Sequence, residues 1–288
     1  MPRTGGRTAP GPRRWGSWWR GLAPRRRRVL AAAVGLLVAA GAGVGAVTAT
    51  AGGSPARPAD QAAVGPVLLV PGYGGSLGSL AVLQARLRAA GRDVREVGLG
   101  TATQPIADQV PAIERVAAAA LARAGTIDVV GYSDGGVAVR AWLAAHPSRL
   151  SQVRRVVTLG APHHGTDLTG AAAAFGQGVC SGACTDVQPG SALLRRLNRD
   201  EAPAGPRWLT VRTALDQTVQ PVDSAELAGA VNVRLQDVCA DDTAGHGELP
   251  SDGLSVGIVV TDLGPGLPAP PAPGQCSALR AVGRGASS

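Results

Sequence analysis

Ser133 stands between two glycines in the stretch Gly131-Tyr132-Ser133-Asp134-Gly135, directly after the apolar residues 127–130. The pattern G-x-S-x-G, where it follows a strand and precedes a helix, holds a serine on a sharp turn with its hydroxyl exposed. The glycines let the strand and the helix approach each other, because neither residue carries a side chain. Ser133 is therefore a candidate nucleophile, and a Gly-rich turn without chemistry is the alternative.

A serine hydroxyl becomes a nucleophile when a base takes its proton, and the chain has four histidines. His146 ends the helix that follows Ser133 and indicates a C-cap. His163 and His164 follow the next strand, too early for the chain order serine, acid, histidine. His246 comes after the last predicted strand in a loop flanked by glycines. We predict His246 as the base, with an exposed loop histidine as the alternative.

The base needs a carboxylate that orients its ring and stabilises its charged form. Asp216 lies in the loop after the predicted strand 208–212, which is where such an acid is expected. Asp223, seven residues later, is the rival, and it could instead cap a short helix. We favour Asp216.

Two backbone amides are expected to stabilise the negative charge that forms on a carbonyl oxygen under attack. The amide of Asp134 follows the serine at the start of a helix, and that of Tyr73 lies in the stretch "VPGYGG" after the first strand. A phosphate-binding loop is the other interpretation of these glycines, but no lysine follows them.

Alternating strands and helices with short connections surround these residues. Apolar runs predict strands at 67–70, 94–99, 127–131, 153–159, 208–212 and 231–235. Helical spacing predicts helices at 77–90, 106–124 with a possible break at Pro111, 135–145, 191–198, 225–230 and 249–260. This alternation is typical of an α/β fold with a mostly parallel sheet and helices on both faces. Residues 162–190 form a loop-rich insertion, in which Leu168, Phe175 and Val179 could line an acyl groove or simply pack.

The N-terminal part has a different character. Residues 1–28 hold nine of the 28 arginines, and residues 29–51 carry no charge over a length that suits an export signal or a membrane anchor. We expect a linker at 52–65, a catalytic domain at 66–263 and a Pro-rich tail at 264–288. Residues 29–288 have 19 arginines against 20 acids, so the charge gives no support to nucleic-acid binding.

The four cysteines fit export to an oxidising compartment, where an even number indicates disulfides. Three pairings are possible, and we favour Cys180 with Cys184 and Cys239 with Cys276. The spacing lacks the matching Cys or His pair of a structural zinc site, so no metal is expected.

The motifs "VLLVPGYGG", "GYSDGG", "TLGAPHHGT", "LDQTVQP" and "GHGELP", in that order over about residues 66–261, resemble small secreted bacterial triacylglycerol lipases and esterases of the α/β-hydrolase fold. The resemblance implies Ser133, Asp216 and His246 as a triad and Tyr73 and Asp134 as oxyanion amides. Two departures are Pro71, where many relatives have histidine, and the acidic Asp134, where a neutral residue is usual.

The residues and the resemblance together predict an extracellular or cell-surface monomer that hydrolyses lipid or other neutral esters without a cofactor. The membrane would be a partner through residues 29–51 if that segment is retained. Acyl transfer to another alcohol by the same three residues is one alternative, and amide hydrolysis is a weaker one. A membrane-tethered binding domain with a nonfunctional triad is the alternative from a different class.

Overall fold

A computed structural model describes residues 58–167, 182–267 and 270–285 of the 288-residue chain. Six parallel strands form one sheet in the order β2-β1-β3-β4-β5-β6. The strands are β1 (Val67–Val70), β2 (Val94–Glu96), β3 (Ile127–Tyr132), β4 (Val153–Leu159), β5 (Arg207–Arg212) and β6 (Val231–Arg234). All six predicted strands are present, and β2 ends three residues earlier than expected.

Five helices lie between strands along the chain, and three follow the last strand. They are α1 (Ala81–Ala89), α2 (Ile106–Leu121), α3 (Asp134–Ala145), α4 (Ala183–Asp186), α5 (Ala192–Leu197), α6 (Leu235–Val238), α7 (Gly253–Asp262) and α8 (Cys276–Arg284). Helix α2 continues through Pro111 without the suggested break. The predicted helix at 225–230 is wrong, since a single 3-10 turn occupies Val222–Ala225 instead.

The sheet is buried on both faces, which explains its apolar strands. Leu68 and Val70 belong to the core under α2, α3 and α5, whereas Val67 and Leu69 face the core under α1, α7 and α8. Side chains alternate across a strand, so a strand covered on both sides must be apolar throughout. This is the predicted α/β architecture, with helices on both sides of a parallel sheet.

The C-terminal segment is the largest departure from the sequence prediction. The expected Pro-rich tail contains α8, which packs against α7. A Cβ atom added to Gly257 would lie 1.9 Å from the carbonyl oxygen of Leu279, so the two helices touch at the backbone. Pro and Gly dominate residues 264–274 and concealed this helix, although its apolar face covers the core that contains Leu279.

Several predicted features lie outside the described residues. They are the basic segment 1–28, the signal or anchor 29–51, residues 52–57 of the linker, residues Leu168, Phe175 and Val179 of the insertion, and Cys180 of the predicted pair with Cys184. Across the described ranges, none of the helices combines the length and the apolar character that crossing a bilayer requires.

A buried ion-pair network joins the amino ends of the central strands to the chain segments beneath them. Asp128 on β3 lies 2.6 Å from Nη2 of Arg92, and its Oδ1 accepts a bond of 2.9 Å from Nε of Arg154. Asp128 and Arg154 are fully buried. Arg154 also donates to the carbonyls of Gln61 and Gly264. The network thus ties the segment before β1 and the segment after α7 to the sheet.

Asp128→Asn should destabilise the fold, because it leaves two buried guanidinium groups without this countercharge. Breaking one partner of a buried pair costs about 3–5 kcal/mol. The matched control is Asp93→Asn, whose partner Arg95 is exposed, and an exposed pair contributes about 0–1 kcal/mol. Urea unfolding of both variants measures the difference. Equal losses would contradict a structural role for the buried network.

Candidate active site

Ser133 lies at the turn from β3 into α3, at the carboxyl end of the central strands. Its backbone has φ 54° and ψ −132°, a conformation that a residue with a side chain rarely adopts. Ser133 is only 3% exposed, and its amide donates to the carbonyl of Leu159 on β4. The strained turn aims the hydroxyl into the crevice above the strand ends, where open α/β sheets bind ligands.

The glycines of the motif permit this turn. A Cβ atom added to Gly131 would lie 2.6 Å from Cα of Gly136, and one added to Gly135 would lie 2.3 Å from the carbonyl oxygen of Pro71. Real Cβ atoms do not come so close to other heavy atoms, so the strand, the helix and the β1 loop can meet only through glycine. The sequence interpretation of these glycines agrees with the structure.

The structure brings Ser133, His246 and Asp216 into one hydrogen-bonded row. Nε2 of His246 lies 3.1 Å from Oγ of Ser133, and its Nδ1 lies 2.7 Å from Oδ2 of Asp216. Because a carboxylate only accepts, Nδ1 carries the proton, and Nε2 of the neutral ring is then free to accept the serine proton. Ser133 follows β3, Asp216 follows β5 and His246 follows β6 along the chain.

Asp216 is held on both of its oxygens. Its Oδ1 accepts from the amides of Thr218 and Val219 at 2.8 and 2.7 Å, and its Oδ2 faces His246. Asp216 is 2% exposed, so these bonds replace its hydration. Its rival Asp223 has a side chain that is 69% exposed and pairs with Arg212 at 3.1 Å. Asp216 is thus the acid that faces the imidazole.

Hydrogen bonds from several parts of the chain restrain the loop that carries His246. The Glu248 carboxylate accepts from the amide of Gly245 at 3.0 Å. Gln236 on α6 accepts from the amide of Ala214, next to the acid loop, and donates to the carbonyl of Asp242, before the histidine. Gln236 therefore links the two loops that must set the Asp216–His246 distance. Its position on a one-turn helix gave no sequence signal.

Helix α8 supports the same loop from the C-terminal side. Cys239 and Cys276 form the disulfide that the sequence favoured, and Arg280 contacts Asp241 at 3.0 Å and Asp242 at 3.2 Å. The described residues contain one group of potential metal ligands, Cys239, Asp241 and Cys276, and its two sulfur atoms are joined in this disulfide.

Tyr132, the residue before the serine, packs against the candidate base. Its ring centroid lies 5.3 Å from that of His246, and its hydroxyl donates to the His246 carbonyl at 3.2 Å. Burial, with a smaller contribution from nearby Asp216, raises the pKa of Tyr132 to about 12, so it stays a neutral donor. Sequence analysis missed this role, since position x of G-x-S-x-G is not restricted by the pattern.

The other histidines have structural positions. His146 is the C-cap of α3, as predicted, and its Nδ1 lies 3.1 Å from the carbonyl of Trp142. His163 is fully buried with Nε2 3.0 Å from Oγ1 of Thr158. Burial holds the pKa of His163 well below its usual range, so it is neutral. His164 pairs with Glu201 at 3.1 Å.

The loop after β1 lies directly against the serine. A Cβ atom added to Gly72 would lie 2.8 Å from Cβ of Ser133 and 3.4 Å from Oδ1 of Asp134. Gly72, the residue before Tyr73, thus lies against Ser133, and the oxyanion role of the Tyr73 and Asp134 amides stays a prediction. A cleft of about 300 Å³ opens over this point. It is lined by Gly72, Tyr73, Ser76, Ser79, Tyr132, Ser133, Thr218, His246 and Gly247.

Comparisons with known proteins agree on the fold. Residues 66–199, just under half of the chain, match the family model described as palmitoyl protein thioesterase. No curated protein sequence matches the chain at a significant level. Among solved structures, Aspergillus fumigatus lipase B is similar at a TM-score of 0.61 and 19% identity, over 78% of this chain and 58% of the lipase. Bacillus licheniformis lipase BlEst2 in its mature form has a TM-score of 0.50 and 20% identity, over 63% of this chain and 86% of the lipase.

These likenesses confirm the predicted α/β-hydrolase fold and the resemblance to lipases and esterases at the level of fold. The prediction of a carboxylic ester hydrolase agrees with the thioesterase family match. The chain spans 58% of the length of the fungal lipase, so that enzyme has further parts without a counterpart in the matched region.

Proton NMR can test the Asp216–His246 contact without an activity assay. A strong Nδ1–H bond to a buried carboxylate should give a far-downfield imidazole proton signal in the wild type. Asp216→Ala should abolish that signal, because the acceptor is removed. Asp223→Ala is the matched control and should retain the signal, since Asp223 pairs with Arg212. Loss of the signal in the control alone would assign the acid to Asp223.

Proposed function

We propose that this chain, whose fold is that of the α/β-hydrolase lipases and esterases, hydrolyses carboxylic esters through Ser133, His246 and Asp216. The observation that carries the proposal is the row of two short contacts from Asp216 through the imidazole to the serine hydroxyl. A strained serine, a neutral base and a buried acid behind it form the arrangement that acyl transfer requires.

In the proposed reaction, Oγ of Ser133 attacks the acyl carbonyl carbon while Nε2 of His246 takes the serine proton. The resulting imidazolium is stabilised by the Asp216 carboxylate, and the oxyanion accepts from the amides of Tyr73 and Asp134. His246 then gives its proton to the departing alcohol, which leaves an acyl-enzyme. Water, activated by the same imidazole, attacks that ester and releases the acid and free Ser133.

Acyl esters of lipids are the proposed substrates, since two structural neighbours are described as lipases. The cleft over Ser133 is bordered by tyrosine rings and small residues, and its described lining contains no aspartate, glutamate or arginine. Such a lining suits a neutral acyl group better than an anionic one.

Thioester hydrolysis is a second candidate, favoured by the match to the palmitoyl protein thioesterase family model. The chemistry differs only in the leaving group. A thiolate leaves more readily than an alkoxide, so it depends less on protonation by His246. Matched oxyester and thioester substrates with the same acyl chain would form the same acyl-enzyme. Their relative kcat/KM values therefore separate the two candidates.

We also propose that the enzyme acts outside the cytoplasm. The Cys239–Cys276 disulfide supports this, because oxidising compartments keep such bonds intact. The uncharged segment 29–51 behind an arginine run is the second support, as it has the composition of an export signal or anchor.

Ser133→Ala should lower kcat/KM for p-nitrophenyl butyrate by about 10⁴-fold or more, because alanine has no hydroxyl with which to form the acyl-enzyme. The same variant should not react with a fluorophosphonate probe, which labels the wild type at one site. Ser151→Ala is the matched control. Ser151 lies in the turn beyond the far end of α3, a 12-residue helix, and its hydroxyl bonds only locally. Equal turnover by Ser133→Ala and the wild type would exclude the serine mechanism.

A further inference from the structure

A second buried carboxyl lies within the candidate site, and the reaction as derived does not use it. Asp134 follows the nucleophile at the first position of α3 and is only 2% exposed. Among the described residues, no donor makes a hydrogen bond of regular geometry to either of its oxygens. A buried polar group without a partner costs free energy, so its retention beside the reacting serine needs a reason.

The carboxyl of Asp134 points toward the amides that the oxyanion would need. Its Oδ1 lies against Gly72, beside the loop that carries Tyr73. The nearest donors are the backbone amides of Gly135, Tyr73 and Asp134 itself, which approach closely enough to favour the charged form without reaching regular hydrogen-bond geometry. Two of these three amides are the proposed oxyanion donors, so the carboxyl and the oxyanion would compete for them.

Among the described residues, no cationic side chain stabilises the charged form of this carboxyl. The titratable groups on the elements around it are Tyr132 on its own turn, Tyr73 on the β1 loop, and His246 with Glu248 behind Tyr132. Burial raises the pKa of Asp134 to about 8, and the three backbone amides only partly oppose this. The carboxyl is therefore neutral at pH 7 and becomes charged at mildly alkaline pH.

We propose that Asp134 is a proton-dependent positioning residue of the oxyanion site, which leaves the Tyr73 and Asp134 amides available when neutral and blocks them when ionised. The neutral acid competes weakly for the two N–H groups. The carboxylate accepts from them strongly and places a negative charge where the oxyanion must form. Turnover then requires neutral Asp134, so activity should fall on the alkaline side of the pH profile as this carboxyl ionises.

This inference rests on the proposed serine hydrolysis and is tested on the full chain. The pH dependence of kcat/KM for p-nitrophenyl butyrate is measured from pH 6 to 10, with the rate of Ser133→Ala subtracted as background. Wild-type kcat/KM, which reports ionisations of the free enzyme, should fall about thirtyfold between pH 7 and pH 9.5, which is the expected effect when a neutral form with a pKa of about 8 is required. Asp134→Asn cannot ionise, so its profile should lack this alkaline limb.

Asp223→Asn is the matched control, since it removes an exposed carboxylate and should keep the wild-type alkaline limb. A profile of Asp134→Asn that falls in parallel with the wild type would overturn the inference while leaving the serine mechanism intact. A purely structural role for Asp134 would make Asp134→Asn lower kcat/KM by the same factor at all pH values and would likewise overturn it.

Fluorophosphonate labelling of the wild type provides a test that does not depend on a variant. Its rate should fall above pH 8 as turnover does, because phosphonylation of Ser133 needs the same amides. A labelling rate that stays constant to pH 9.5 would overturn the inference even if Asp134→Asn fails to fold. No labelling of Ser133 at any pH would remove the proposed function itself, and the inference with it.

Discussion

The site depends on one strained residue, because the sheet must deliver a serine hydroxyl at the point where β3 becomes α3. Ser133 has a positive φ, which costs on the order of 1–3 kcal/mol for a residue with a side chain. The strained conformation is maintained because backbone atoms of the β1 loop, β4 and α3 lie in contact with the turn. Contacts through Gly131 and Gly135 leave no room for relaxation. The rigidity that keeps the strain is also what fixes the hydroxyl.

The position of the His246 imidazole is not fixed by a tight turn, because His246 lies in a long segment after β6. His246 is 12 residues beyond the last residue of β6, so its position depends on side-chain contacts that restrain the loop. Gln236 links this loop to the acid loop, and Glu248 closes the turn around the histidine. The disulfide and Arg280 bring α8 to the same segment. The C-terminal helix thus serves the geometry of a site to which it contributes no residue.

Sequence patterns predicted the features that depend on residues close together in the chain. Apolar strands covered on both faces, a serine between glycines and the order of Ser133, Asp216 and His246 along the chain were all readable from the sequence. Helix α8 was not, because its segment begins with Pro and Gly and its helical face makes sense only against α7. The contacts of Gln236 and Tyr132 join parts of the chain far apart in sequence, for which spacing carries no information. The prediction of a short helix at 225–230 was wrong for a related reason. The Asn232 side chain bonds to the amide and the carbonyl of Leu227 and holds this segment in a turn.

Asp216 and Asp134 are two buried carboxyls close to Ser133, and they differ in how many hydrogen bonds they accept. Asp216 receives two amides and an imidazole N–H, so its negative charge is stabilised where it can balance an imidazolium. Asp134 receives no regular hydrogen bond from the described residues, and burial keeps its proton in place near neutral pH. Environment rather than residue type assigns their states. A site that forms an oxyanion can hold one permanent negative charge on the far side of the imidazole, but a second beside the oxyanion donors would oppose the reaction. Burial keeps this second charge absent near neutral pH, because it raises the pKa of Asp134.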